Sequence, residues 1–286
     1  MSQYVIFADS SVDLPLDVIR QYNLQIVNLH LFVGNTEEDI DTLDSHTFYD
    51  RLRAGEVAST SAPSPEQYTE TMDAFLAEGK DILYLGFSEA LSCSFNNGKL
   101  AMEDLAEKYP ERKLYAISTK CASTGHGLLT LLAARKQAEG ASIDEVKTWV
   151  EENLLKLVHW FTVDDLMFLK RGGRVSAATA LVGTMLGIKP VLHVDDEGRL
   201  INMSKARGRK ASLQALFDKA KETAIDPSSQ TMAICHGDCV EDANWIAEKL
   251  KTELNVPEVI ISPTGTVIGA HSGPGTVALF FIGTQR

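Results

Sequence analysis

Hydrophobic positions in the first half of the chain recur with two different periods. Short apolar runs at residues 4–8, 81–87 and 114–118 indicate buried strands, and each is followed by apolar side chains at helical spacing. This spacing predicts helices over residues 16–22, 46–53, 65–78, 95–108, 128–139 and 143–154. The alternation of strands and helices predicts a mostly parallel sheet with helices on both of its faces.

The segment between the first two of these units has a different pattern. Residues 24–33 alternate between apolar and polar side chains, so they predict one further strand. Residues 36–44 are acidic and lack either period, so they predict a loop.

A helix-capping signal precedes the predicted helix at residues 65–78. Ser64 is a predicted N-cap, Pro65 occupies the first helical position, and Gln67 completes a capping box. Thr60 and Ser61 are therefore expected in a loop just before a helix N-terminus.

The composition changes after residue 154, where a second α/β unit is predicted. Its elements are a strand at 159–163, a short helix at 164–170, an apolar helix at 176–186, a β-hairpin at 189–204, a helix at 213–223, a strand at 231–235, a helix at 241–254 and strands at 258–262 and 277–283. We place the boundary near residue 160, which gives domains at residues 1–160 and 161–286.

Composition narrows the possible functions. The chain has 286 residues, 44% of them hydrophobic, which is ample for a core, and a net charge of −12. This charge disfavours binding to nucleic acid and stable association with an anionic membrane, so any membrane contact is expected to be transient. No apolar run reaches 18 residues, and the first residues lack the pattern of a signal peptide, so a cytoplasmic protein is expected.

Neither a metal nor a cofactor is predicted. The four cysteines are expected to be free thiols in a cytoplasmic protein. Residues 235–239, Cys-His-Gly-Asp-Cys, hold possible ligands, but no second ligand pair follows them, so a strand end turning into a helix is the simpler interpretation. The chain also lacks the glycine-rich phosphate-binding motifs of nucleotide sites.

A histidine near the C-terminus is the strongest candidate for binding an anion. His271 lies among small residues at positions 269–276, followed by a predicted strand, and we expect a loop to present it. Hydroxyl groups from two earlier loops, at Thr60 and Ser92, are its expected partners. Ser92 follows the predicted strand at 81–87, at the edge of the sheet where ligands of such folds bind.

Taken in chain order, the motifs resemble the DegV family, bacterial fatty-acid-binding proteins that partner a dihydroxyacetone-kinase-like fatty acid kinase. The resemblance covers about residues 4–284. It rests on the motifs at residues 9–15 (Asp-Ser-Ser-x-Asp-Leu-Pro), 60–64 (Thr-Ser-x-Pro-Ser), 91–92, 165–176, 187–190, 205–208 and 271–276.

The resemblance implies a two-domain fold with a long-chain fatty acid buried between the domains. The N-terminal domain would be a three-layer α/β/α unit, and the C-terminal domain a two-layer unit with a mixed sheet. The implied carboxylate ligands are Thr60, Ser92 and His271, supported by Arg174. The full set of implied ligand-binding residues is Thr60, Ser61, Ser92, Arg174, His271 and Ser272.

The resemblance also implies a partner and a path for the acyl tail. Arg207 would face the kinase or the transferred phosphate. Candidates for an apolar tunnel are the helix at 177–186, Leu166, Phe168 and Ile268. Cys93 and Ser94 stand where the family usually has Gly and Thr, so backbone room beside the head group is expected to be smaller.

Three functions remain open from the sequence. The favoured one is a carrier that presents the carboxylate to a kinase and is not itself catalytic. The alternative is a serine hydrolase of a lipid or acyl ester, with Ser92 as nucleophile and His271 as base, although residues 91–93 do not match Gly-x-Ser-x-Gly. A kinase would need a magnesium site, and the paired aspartates at 164–165 and 195–196 are more typical of a helix cap and a turn.

Overall fold

The fold was analysed in a computed structural model, which describes residues 4–176, 187–284 and 286. Most of the predicted helix at 176–186 lies outside the described residues. The strands are β1 Tyr4–Asp9, β2 Gln25–Val27, β3 His30–Val33, β4 Thr36–Glu38, β5 Ala58–Ser61, β6 Asp81–Gly86, β7 Leu114–Ser118, β8 Leu157–Thr162, β9 Ile188–Val194, β10 Leu200–Arg207, β11 Thr231–His236, β12 Glu258–Pro263 and β13 Val277–Ile282. The helices are α1 Leu16–Gln21, α2 Ser45–Arg53, α3 Pro65–Ala77, α4 Ser94–Lys108, α5 Thr124–Ala138, α6 Ile143–Asn153, α7 Leu166–Arg171, α8 Arg209–Thr223, α9 Val240–Glu253 and α10 Thr266–Ser272.

A four-stranded parallel sheet in the order β2-β1-β6-β7 forms the centre of the first half. Successive side chains of a strand point to opposite faces, and both faces of β1 are covered. Val5 and Phe7 pack in one core beneath α3 and α4, whereas Ile6 and Ala8 pack in another core with α5. The predicted parallel sheet with helices on both faces is confirmed.

A six-stranded mixed sheet in the order β10-β9-β8-β13-β11-β12 forms the centre of the second half. Only β11 and β12 pair in parallel within it. Helices α8 and α9 cover one face. The predicted mixed sheet is confirmed. Strand β8 spans the predicted domain boundary at residue 160, and the division into domains stays a prediction.

Helix α5 lies between the two sheets. Its residues from Thr124 to Leu131 are all buried, and it contacts strands of both sheets. Two glycines in its first turn permit this packing, since a Cβ atom at Gly125 would overlap the His159 ring and one at Gly127 would overlap a backbone carbonyl. The helix therefore begins at Thr124, four residues before the predicted start.

The prediction for residues 24–44 was wrong in two respects. The single strand predicted at 24–33 is divided, because β2 pairs with β1 whereas β3 leaves the sheet to pair with β4 and β5. At the division, the Leu29 amide donates to the Ser10 hydroxyl rather than to a strand (3.0 Å). The predicted acidic loop contains β4, and Thr60 and Ser61 lie in β5 rather than in a loop.

The predicted capping box and β-hairpin are both present. The capping box is present, with the Ser64 hydroxyl accepting from the Gln67 amide and the Gln67 side chain accepting from the Ser64 amide. Strand β10 continues to Arg207, beyond the predicted hairpin end. Within the described residues, no helix combines the length and apolarity needed to cross a bilayer.

Candidate functional site

A cavity with about 780 Å³ of empty space, partly open to solvent, lies between the two sheets. The wall is mostly apolar, and Leu29, Phe87, Phe161, Leu169 and Phe280 contribute to it. A few polar side chains interrupt this surface, as is usual where a ligand must be oriented.

Thr60 and His271 meet at this cavity. Thr60 lies on β5, opposite Leu31 of β3, and its Oγ1 is 2.7 Å from Nε2 of His271. The prediction that a loop presents His271 was wrong, because His271 lies in the last turn of α10. Small residues allow this helix to pack closely, since a Cβ atom at Gly269 would overlap the hydroxyl of Tyr49.

His271 is a neutral imidazole at physiological pH. Burial, together with the nearby positive charge of Arg174, lowers the pKa of His271 to about 4. Its Nδ1 is buried and has no hydrogen-bond partner among the described residues. A proton on Nδ1 would therefore be an unsatisfied donor, so the favoured tautomer carries the proton on Nε2 and donates to Thr60. The Thr60 hydroxyl hydrogen then remains available to a ligand.

Gly172 holds the other side of the same imidazole. This glycine ends α7, and a Cβ atom built on it would overlap Nδ1 of His271 and approach Cγ and Cε1 to 3.3 Å. The ring is therefore confined between the Gly172 backbone and Thr60. No sequence pattern connects Gly172 with His271, because the contact depends on how α7 packs against α10.

Arg174 is a partly buried cation without a carboxylate partner in the described part of the chain. Its Nε and Nη2 donate to the carbonyl of Leu91 (3.0 and 2.8 Å), and its Nη1 donates to the carbonyl of Gly172. Burial lowers the pKa of this guanidinium. A partly buried charge is stabilised by an opposite charge, so this position favours an anionic ligand.

Two serines add hydroxyl groups at the cavity. The Ser92 hydroxyl accepts from the Ser94 amide (3.1 Å), which leaves its own hydrogen for another acceptor. Ser272 Oγ is buried without a partner among the described residues. Thus five of the predicted site residues line one cavity: Thr60, Ser92, Arg174, His271 and Ser272.

Two predicted residues lie elsewhere. Ser61 and Arg207 are exposed and do not line the cavity. Among the tunnel candidates, Ile268 lines the cavity, whereas Leu166 and Phe168 pack in the surrounding cores and do not. The candidate helix at 177–186 lies outside the described residues.

Within the described residues, Ser92 and His271 are not arranged as the nucleophile and base of a serine hydrolase. A catalytic triad needs a base that hydrogen-bonds the nucleophile and a third group that orients the base. Nε2 of His271 bonds Thr60 rather than Ser92, and Nδ1 bonds no described residue.

The aspartate pairs do not form a metal site in the described residues. Asp165 caps α7, and Asp195 accepts from the backbone of the turn that follows it, as expected from the sequence. His46, Asp50 and Asp238 do bring potential ligand atoms together at the surface. However, Arg53 already forms ion pairs with both aspartates (2.9 and 2.5 Å), so the charge of that cluster is partly balanced.

Several lining residues were not predicted as part of the site. Ser11, Ser123 and Thr264 contribute polar atoms to the wall. Ser11 lies in the motif at residues 9–15, and Ser123 is the residue before α5. Thr264 comes just before α10, a short helix that the sequence analysis did not predict. No sequence signal therefore indicated that Thr264 belongs to the site.

The chain is similar to known proteins over nearly its whole length. The model of a family described as "uncharacterised protein, DegV family" matches residues 3–284. A DegV domain-containing protein of Clostridium perfringens is 44% identical over 290 residues, covering 100% of this chain and 99% of the relative.

Two solved structures share the fold. A DegV lipid-binding protein of Thermotoga maritima has a TM-score of 0.84 and 29% identity, with 100% of both chains covered. A DegV family protein of Thermus thermophilus, described for its fatty acid binding, has a TM-score of 0.86 and 28% identity, with 98% of this chain and 99% of that one covered.

Proposed function

Because the chain belongs to the DegV family, we propose that it binds a long-chain fatty acid in the cavity between its two sheets. Thr60, Ser92 and His271 would hold the carboxylate, with Arg174 as its counter-charge and Ser272 beside it. The lipid binding described for the Thermotoga maritima protein and the fatty acid binding described for the Thermus thermophilus protein support this choice of ligand.

The observation that carries the proposal is the polarity of the cavity. Thr60, Ser92, Arg174 and His271 are partly exposed, so the polar end is near the surface. The far wall is buried, with Phe280 only 2% exposed. A ligand with an anionic end near solvent and a long apolar end in the interior fits this arrangement.

The acyl tail and the carboxylate of the fatty acid are expected to contribute differently to the binding free energy. Each buried CH₂ group contributes about 0.8 kcal/mol, so a 16-carbon tail contributes roughly 10 kcal/mol before the cost of ordering it. The carboxylate must exchange water for protein donors, and such charge-assisted hydrogen bonds roughly balance its desolvation. The tail therefore supplies most of the affinity, and the polar end fixes the direction of binding.

We further propose that the protein is a carrier rather than an enzyme, and that it presents the carboxylate to a dihydroxyacetone-kinase-like fatty acid kinase in the cytoplasm. The position of the polar end near the surface supports this role, because a partner must reach the carboxylate. Arg207 is exposed and belongs to the basic segment at residues 205–210, so it is the proposed contact with the kinase or the transferred phosphate.

Lipid content measured by mass spectrometry tests the binding proposal. Protein purified from a bacterial host is expected to carry fatty acid, and His271→Ala is expected to retain substantially less. His236→Ala is the matched control, since His236 is also partly buried with a lowered pKa but does not line the cavity. Equal lipid content in all three proteins would refute the assigned role of His271, and absence of fatty acid from the unaltered protein after loading would refute the function.

A further inference from the structure

The cavity follows one face of α10. Val267, Ile268, His271 and Ser272 line it from one face of the helix, and Thr264 lines it from just before the helix, next to the N-cap Gly265. Six residues of helical rise separate the N-cap Gly265 from His271, which is about 9 Å at 1.5 Å per residue, and Thr264 lies one residue further along the chain. Thr264 and His271 are therefore roughly 10 Å or more apart along the helix axis. His271 marks the polar end, and Thr264 lies well inside.

A second polar position therefore exists deep in the cavity. Thr264 is fully buried, and its Oγ1 has no hydrogen bond of good geometry within the described residues, because the side chain that it meets is the weakly hydrogen-bonding thiol of Cys235. Ser123, 5% exposed, also lines the wall and donates its hydrogen to Asp13, so its hydroxyl oxygen retains a lone pair. The nearby Cys235 thiol, a weak hydrogen-bonding group, forms a contact with Ser123 (3.2 Å).

A buried hydroxyl without a partner costs about 1–3 kcal/mol. A plain alkyl chain lying against Thr264 cannot offer a partner, whereas an oxygen atom carried by the chain can. An extended alkyl chain advances about 1.25 Å per carbon, from a C–C bond of about 1.52 Å and an angle of about 111°. A distance of roughly 10 Å therefore corresponds to about eight carbons from the carboxylate.

We propose that Thr264, with Ser123 beside it, forms a subsite for an oxygen substituent in the middle of the acyl chain, so that the protein accepts mid-chain hydroxy fatty acids. This inference rests on the proposed fatty acid binding and adds a class of substrate to it. The substituent would lie about 8–10 carbons from the carboxylate, with its hydroxyl bonded to Thr264 Oγ1.

The test compares three ligands by equilibrium displacement of a fluorescent fatty acid from delipidated full-length protein. They are octadecanoic, 10-hydroxyoctadecanoic and 17-hydroxyoctadecanoic acids. The 10-hydroxy acid is expected to bind within a few-fold of octadecanoic acid, and the 17-hydroxy acid about tenfold or more weakly, because its hydroxyl would meet an apolar wall.

Two variants connect the preference to Thr264. Thr264→Val should shift the ratio of affinities about tenfold against the 10-hydroxy acid, whereas Thr264→Ser keeps the hydroxyl and should keep the ratio. Thr162→Val is the matched control, because Thr162 is also fully buried with an unpartnered hydroxyl among the described residues but does not line the cavity. It should leave the ratio unchanged.

The outcomes separate this inference from the proposed function. If no ligand binds, the proposed function is refuted and the subsite with it. If octadecanoic acid binds but both hydroxy acids are rejected alike, the subsite is refuted while the proposed function stands. An equal shift in Thr264→Val and Thr162→Val would likewise refute the subsite.

Discussion

Gly172→Ala should weaken fatty acid binding through the position of His271 alone. The backbone of Gly172 is helical, with φ −70° and ψ −10°, so alanine fits there without backbone strain. The added methyl group would lie within 3.0 Å of Nδ1 of His271, a separation that Cβ atoms essentially never show. The imidazole must therefore move.

The ring cannot make this movement and keep its hydrogen bond to Thr60. Ordinary van der Waals contact begins near 3.4 Å, so the ring must shift by about 1 Å away from residue 172. Nδ1 and Nε2 lie on nearly opposite sides of the ring, and Nε2 is already 2.7 Å from Thr60, the short end of the normal range. The imidazole must swing away from Thr60, and overpacking together with the lost hydrogen bond corresponds to about 1–2 kcal/mol, or roughly 5- to 30-fold in Kd.

Equilibrium binding of a fluorescent fatty acid to delipidated protein measures this loss. Gly173→Ala is the neighbouring control, because Gly173 has φ +74° and a Cβ atom added there would meet no described atom within 4 Å. It should lower stability by about 1 kcal/mol through backbone strain and leave binding nearly unchanged. The effect of Gly172→Ala should also disappear when residue 271 is alanine. Unchanged affinity in Gly172→Ala, or an equal loss in the His271→Ala background, would refute the reasoning.

Two further predictions concern the pH dependence of stability and the contact with the kinase. The folded state binds a proton on His271 only near pH 4, whereas an unfolded chain does so near pH 6.5, so stability present above pH 6.5 is lost as the pH falls towards 4. The free energy of unfolding, measured with urea at pH 7 and at pH 4, should therefore fall by on the order of 2–3 kcal/mol less in His271→Gln than in the unaltered protein. The same pH dependence in the two proteins would contradict the lowered pKa of His271. Arg207→Ala should keep fatty acid binding but lower kinase-dependent acyl phosphate formation by about tenfold, while Lys156→Ala, exposed and near the opposite end of the β8–β9 pair, should not. Equal rates for the two variants would exclude Arg207 as the contact.

The sequence predicted best what depends on local chemistry. The apolar run of β1 and the capping box at Ser64 are determined by neighbouring residues, and both are present. The division between β2 and β3 was missed because it depends on strand partners distant in the chain. His271 was expected in a loop because it is surrounded by glycines, yet one of them, Gly269, allows α10 to pack closely against Tyr49.

The site shows the same distinction. The residue types at Thr60, Ser92 and His271 were sufficient to select them together with the family resemblance. The contact of the Gly172 backbone with the His271 ring and the buried hydroxyl of Thr264 in the cavity wall could not be predicted. Each arises where elements from separate parts of the chain meet. Motifs therefore indicated the polar end of the cavity, and packing determined its inner wall.

The charge of the polar end also bears on what happens after a ligand binds. With His271 neutral, Arg174 is the cation among the described residues that line the cavity, so one positive charge faces one carboxylate under the proposed function. Phosphorylation would convert the carboxylate oxygen into the bridging oxygen of an acyl phosphate, so a phosphate group carrying about −1.5 to −2 charges would replace the single carboxylate charge. One guanidinium cannot balance that charge. The additional charge must therefore face solvent or meet cations elsewhere. Because the polar end of the cavity is partly exposed, the phosphate could contact either solvent or basic side chains on the surface. Exposed basic residues such as Arg207 are therefore expected to interact with the acyl phosphate rather than with the bound fatty acid.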